Sequence, residues 1–172
     1  MLETLIFVVF PFAMVFAAIS DLLSMKIQNR VSVILVLTFA VVAPFAGMGW
    51  TAFSLHFAAG LLALVMTFGL FAAGGMGGGD AKLISATALW MGLSPLLAEY
   101  LLYSAALGGL LTLLILALRA SPLSVLAGAN GFLPHIFNTK LGVPYGVALG
   151  GAGLLLAPET PLMQWALARL GG

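Results

Sequence analysis

Gly74-Gly75-Met76-Gly77-Gly78-Gly79-Asp80-Ala81-Lys82 is the one place where a long apolar chain breaks into glycine and then offers a carboxylate and an amine. Outward from it in both directions the sequence is almost all hydrocarbon. The chain of 172 residues is 63% hydrophobic and 6% charged, where a soluble domain carries roughly 25% charged residues. Too few polar side chains exist to cover a water-facing surface, so the solvent is lipid and the class is an all-α polytopic membrane protein. Cysteine is absent, which excludes disulfides, thiolate chemistry and a Cys-based zinc site. A net charge of +1 argues against nucleic acid as a partner, since phosphate binding needs clustered Lys and Arg.

Backbone groups in lipid must bond internally, and nothing here alternates like a barrel strand, so the spans are helices. Six are expected within one domain, over about 2–20, 31–46, 50–73, 81–97, 98–118 and 141–157. Pro11 is expected to kink the first. Its acidic start, Met1-Leu2-Glu3-Thr4, reads as a retained span and not a cleaved signal. The fourth is interrupted at Ser94-Pro95, leaving about 13 residues, or roughly 20 Å of helix against about 30 Å of hydrocarbon. Either it continues through Pro95, or Asp80 starts at membrane depth, where an ionisable group is costly and usually functional. The connection from Arg119 to Lys140 is expected along the interface, and a short helix is expected from Pro161 to Leu170.

Lys26, Arg30, Lys82, Arg119 and Lys140 follow odd-numbered spans, whereas only Arg169 joins Glu3, Glu99 and Glu159 on the other face. Five of six cations on one side make that side cytoplasmic and leave both termini outside. The chain's two aspartates, Asp21 and Asp80, then share the cytoplasmic side.

Two carboxylates facing one another can cleave a peptide bond when one takes a proton from water and the other, protonated, hydrogen-bonds the scissile carbonyl. Bare glycine backbone, with Gly77 and Gly79 beside the acid, lets an extended substrate approach. The blander readings are an N-cap for Asp80, a solvated acid for Asp21, a packing loop for the glycines and a charge anchor for Lys82. By helix dipoles, Asp80 at an N-terminus is the expected anion and Asp21 near a C-terminus the expected protonated partner.

Gly77-Gly78-Gly79-Asp80 with Ala81-Lys82-Leu83 resembles the GxGD-x-K-L signature of the type IV prepilin peptidases. Asp21, Ser24, Ile27 and Asn29 resemble that family's first aspartate motif, D-x-x-x-x-x-I-P-N, with Gln28 in place of the proline. Val143-Pro144-Tyr145-Gly146-Val147-Ala148 resembles a third segment in the last span. The resemblance implies an aspartyl endopeptidase, without metal or cofactor, that removes the leader of pilin-like precursors at the cytoplasmic membrane face. It makes Asp21 and Asp80 the catalytic pair and Gly77, Gly79, Lys82, Asn29 and Tyr145 supporting residues. Bifunctional members carry a paired-Cys segment and also N-methylate the new terminus; this cysteine-free sequence resembles the short, peptidase-only form of Flp/Tad-type pili.

The remaining features read as structural. His56 is expected as a packed polar residue and His135 at a surface or interface. Trp50, Trp90 and Trp165 are expected as interfacial anchors, and the clusters Gly108-Gly109 and Gly150-Gly151-Ala152-Gly153 as close helix contacts. Two competing functions stay open: another GxGD protease cutting inside a transmembrane helix, and a proton-coupled transporter using membrane carboxylates as relays. Against the transporter, no inverted repeat is visible.

Overall fold

A computed structural model describes residues 1–121, 134–137 and 142–170, and among these every regular element is helical. The helices are α1 (Leu2–Ser24), α2 (Asn29–Phe45), α3 (Trp50–Ala72), α4 (Gly78–Met91), α5 (Pro95–Ala120), α6 (Pro134–Phe137), α7 (Gly146–Leu156) and α8 (Pro161–Leu170); a 3-10 turn, Ala157–Glu159, joins the last two. Three of them, α1, α3 and α5, are long and apolar enough to cross a membrane. Their outward faces carry Phe12, Leu61, Val65, Leu102 and Leu113, all widely exposed. Apolar surface on this scale belongs against lipid.

The hub is α4. Nearly every residue from Leu83 to Met91 is buried, with α2, α3 and α7 packed around it. Its polar side chains satisfy themselves locally: Ser85 Oγ donates to the Ala81 carbonyl (2.7 Å) and Thr87 Oγ1 to that of Leu83 (2.9 Å). The helix stops at Met91, and Gly92 turns at φ +72° under the His56 ring. Pro95 then opens α5 as its first residue, where its missing N–H costs nothing. The fourth helix is thus short, about 21 Å at 1.5 Å per residue, and does not run through Pro95. Neither does Pro11 interrupt α1, which is continuous across it.

Lipid offers no hydrophobic drive between helices, so close approach and van der Waals contact hold the bundle. A Cβ on Gly150 would stand 2.6 Å from the Met14 carbonyl oxygen, and one on Gly153 2.7 Å from Met14 Sδ. These two glycines are the seam between α1 and α7. Gly109 faces open space and Gly151 makes only ordinary contact.

Trp90 corrects an expectation. It is fully buried, not interfacial, wedged between Phe10 (4.8 Å) and Phe39 (5.9 Å). Its Nε1–H donates to the Leu35 carbonyl at 3.1 Å. A single-sequence reading counts Trp90 along the chain toward a span end, but α4 lies in the middle of the bundle, so its end is enclosed by neighbours. Trp50 is exposed, and Trp165 carries the Arg169 guanidinium over its ring. His56 is packed: Nδ1 lies 2.7 Å from the Leu89 carbonyl oxygen and the ring stacks on Phe39.

Lys26, Arg30, Lys82 and Arg119 gather at the end of the bundle where α1 and α5 finish and α2 and α4 begin. Arg169 sits with Glu3 at the opposite end, 3.7 Å apart. Lys140 and most of the Arg119–Lys140 connection fall outside the described residues; His135 lies in α6.

Candidate active site

Asp21 sits in the last full turn of α1. Beyond it the chain leaves the helix through Met25, in the left-handed region at φ 55°, whose N–H bonds the Asp21 carbonyl (2.8 Å). Ser20 Oγ reaches across the turn to the Lys26 carbonyl (3.1 Å). The side chain of Asp21 is buried, and its Oδ2 accepts the N–H of Gly146 at 2.7 Å. Gly146 is the first residue of α7, so the carboxylate caps a helix 125 residues away in sequence. Only glycine fits there: a Cβ would lie 2.8 Å from Asp21 Cβ and 2.9 Å from Oδ2.

Asp80 comes from the glycine run, whose members have separate tasks. Gly74, at φ +76°, ends α3 in a Schellman motif, with Gly75 N–H bonding the Leu70 carbonyl and Gly74 N–H that of Phe71, both at 2.9 Å. Gly77 precedes α4, and the half-buried Asp80 carboxylate turns back toward its N–H, as the third residue of a capping box does. A Cβ on Gly77 would sit 2.7 Å from Asp80 Oδ2. Gly79 lets Ile27 close in, 3.1 Å from where its Cβ would be. Ile27 closes in on Gly146 as well, its Cδ1 2.8 Å from where a Cβ there would be. It is therefore the spacer between the starts of α4 and α7, and the two aspartates stand around it within electrostatic reach of one another.

The other expected residues divide into two groups. Tyr145 lies across Gly108 of α5 and within electrostatic reach of Asp80. Lys82 and Asn29 face elsewhere: Lys82 Nζ donates to Asn29 Oδ1 at 2.9 Å, on the exposed side of α4. Arg119 braces the approach to α7, donating to the Ile136 (2.6 Å) and Gly142 (3.0 Å) carbonyls. Among the described residues no three His, Asp or Glu side chains gather as a metal site.

A family model for the type IV leader peptidases matches residues 8–115, which include both aspartates and the glycine run. The chain belongs to the type IV leader peptidase family. No match was found among curated proteins or among solved structures. The leader peptidase match ends inside α5, so Tyr145 and Gly146 lie beyond it.

Chemically, the arrangement offers this leader peptidase two acids with different surroundings. Asp21 is buried and oriented by a backbone donor; Asp80 is half-open beside glycine backbone that carries no side chains. The dipole argument that separated them by sequence position loses its basis, because each carboxylate faces a helix N-terminus, Asp21 that of α7 and Asp80 that of α4. Gly146 and Ile27 are the positioning residues that sequence reasoning passed over as motif letters. The available signal was Gly146 directly after Pro144-Tyr145, a helix start with no side chain.

Proposed function

We propose that this leader peptidase is an aspartyl endopeptidase that removes the leader of pilin-like precursors at the cytoplasmic face of a bacterial inner membrane. Asp21 and Asp80 act as its catalytic pair. It works through one transmembrane domain, with the start of α1 and the end of α8 on the outer side. The observation that carries the reading is the Asp21 carboxylate, fixed by Gly146 N–H, with Ile27 packed between the starts of α4 and α7 and Asp80 within electrostatic reach. Family membership supports the reaction class.

One carboxylate removes a proton from water as its oxygen attacks the scissile carbonyl carbon; the other, protonated, donates to the carbonyl oxygen. The tetrahedral diol then collapses: the C–N bond breaks, the proton held by the first acid passes to the leaving amine, and one diol hydroxyl returns its proton to the second acid as the new carboxyl forms. Pre-orientation matters more here than nearness alone, because a misplaced acid loses most of its effect. Gly77 makes room for the Asp80 carboxylate and Gly79 for Ile27, and Tyr145, against Gly108 of α5, stands within electrostatic reach of Asp80.

Co-expression of a pilin precursor with wild type, Asp21→Asn or Asp80→Asn, read as a gel shift, tests this. Wild type alone should shorten the precursor, and the new N-terminus should map to the membrane-proximal end of the leader. Cleavage by either variant, or a cut within the precursor's transmembrane helix, would overturn the proposal.

A further inference from the structure

α2 and α3 follow one another in the chain and meet around Phe39, which packs on Phe53, His56 and Phe57; beyond that contact both lean on α4, and a groove of about 580 Å3 lies between them. Val36 and Leu37 form one wall, Phe57 and Leu61 the other, and Leu89 lies on the floor. These are hydrocarbon surfaces on an outward-facing side. The polarity sits at one end, where Lys82 Nζ meets Asn29 Oδ1. Among the described residues no carboxylate lies within ion-pair distance of that ammonium.

We infer that this groove binds one anionic phospholipid, with an acyl chain between α2 and α3 and the headgroup phosphate on Lys82 and the Asn29 amide. Length decides the class of occupant. From Asn29 to Leu37 the groove runs about 12 Å at 1.5 Å per residue. That lies within one leaflet, roughly half of a 30 Å hydrocarbon core, and falls well short of a transmembrane helix. Charge decides the headgroup: an ammonium with only a neutral partner complements a net negative lipid, and basic pockets between transmembrane helices bind such headgroups. An ordered chain also supplies van der Waals contacts that an unfilled groove lacks. This inference stands apart from the peptidase reading, because it uses neither aspartate.

The test is native mass spectrometry of the full-length protein in detergent, titrated with dioleoyl phosphatidylglycerol or dioleoyl phosphatidylcholine. One phosphatidylglycerol should be retained, favoured by about fivefold, the worth of one lysine beside an anionic headgroup. Lys82→Met should erase the preference, Lys82→Arg should keep it, and Val36→Trp should remove the lipid of either kind. Equal retention of both lipids by wild type, or a preference surviving in Lys82→Met, would overturn the assignment. Independently of how those variants fold, a benzophenone amino acid placed at Leu61 should, on irradiation in membranes, add the mass of one phospholipid. Crosslinking to a polypeptide instead, whether a substrate helix or a second copy, would overturn it as well.

Discussion

Gly146→Ala should disable the enzyme while leaving it folded. The new methyl would stand 2.8 Å from Asp21 Cβ, 2.9 Å from Oδ2 and 2.8 Å from Ile27 Cδ1, where non-bonded carbons prefer about 3.5–4.0 Å. Relief requires Asp21 to move by about 0.7–1 Å. The Gly146 N–H to Oδ2 bond, 2.7 Å at rest, would then stretch beyond good hydrogen-bond geometry. A bond to a charged group is worth about 1.5–3 kcal/mol, and a 1 Å misplacement of a catalytic group costs on the order of 10²-fold. The two are views of one displacement, so kcat/KM should fall by about 10²-fold. The assay is cleavage of a synthetic precursor peptide by purified protein in vesicles, normalised to the folded fraction. Gly150→Ala is the control: its methyl would meet the Met14 carbonyl oxygen at 2.6 Å on the same α1–α7 seam, about one turn along α7 from Gly146. It should lower thermal stability and leave activity per folded molecule unchanged. A folded Gly146→Ala enzyme at wild-type rate, or an equal activity loss in Gly150→Ala, would refute the positioning argument.

Gly79→Ala should be milder than Gly146→Ala in the same kinetic assay, since its methyl approaches Ile27 Cβ only to 3.1 Å and a shift of a few tenths of an ångström relieves it. Gly108→Ala should push the Tyr145 ring aside, because a Cβ there would overlap it; kcat/KM should drop by roughly tenfold, by analogy with other displaced positioning groups. Trp90→Phe removes the Nε1–H bond to the Leu35 carbonyl and should lower stability by about 1–3 kcal/mol in reversible unfolding, with cleavage per folded molecule intact.

The membrane class and the candidate pair of acids could be read along the chain because both readings rest on local facts. A charged fraction of 6% admits only one solvent. Two aspartates in a chain that has no others draw attention whatever the fold. The glycine run could be recognised as a site but not decoded: that Gly74 turns the chain, Gly77 makes room for Asp80 and Gly79 admits Ile27 depends on what each glycine faces. Trp90 was misread because distance along a span does not reveal whether neighbours enclose its end. The partner of Asp21 was hidden for the same reason. Asp21 meets the start of α7 only through a contact across 125 residues, and no local pattern encodes such a partner. The groove was equally hidden, because consecutive helices are expected to pack along their length, whereas α2 and α3 meet around Phe39 and part toward Asn29 and Lys82.

The proposed reaction requires Asp21 and Asp80 to act as one unit. Asn keeps the shape of each side chain and can still accept Gly146 N–H, so substitution removes the acid with little change of fold. Initial rates should be measured on the precursor peptide in vesicles for wild type, Asp21→Asn, Asp80→Asn and the double variant, all showing the same thermal transition. Each single variant should lose all measurable cleavage, and the double variant should be no worse, as groups acting together require. Turnover persisting in either folded single variant would contradict the dyad.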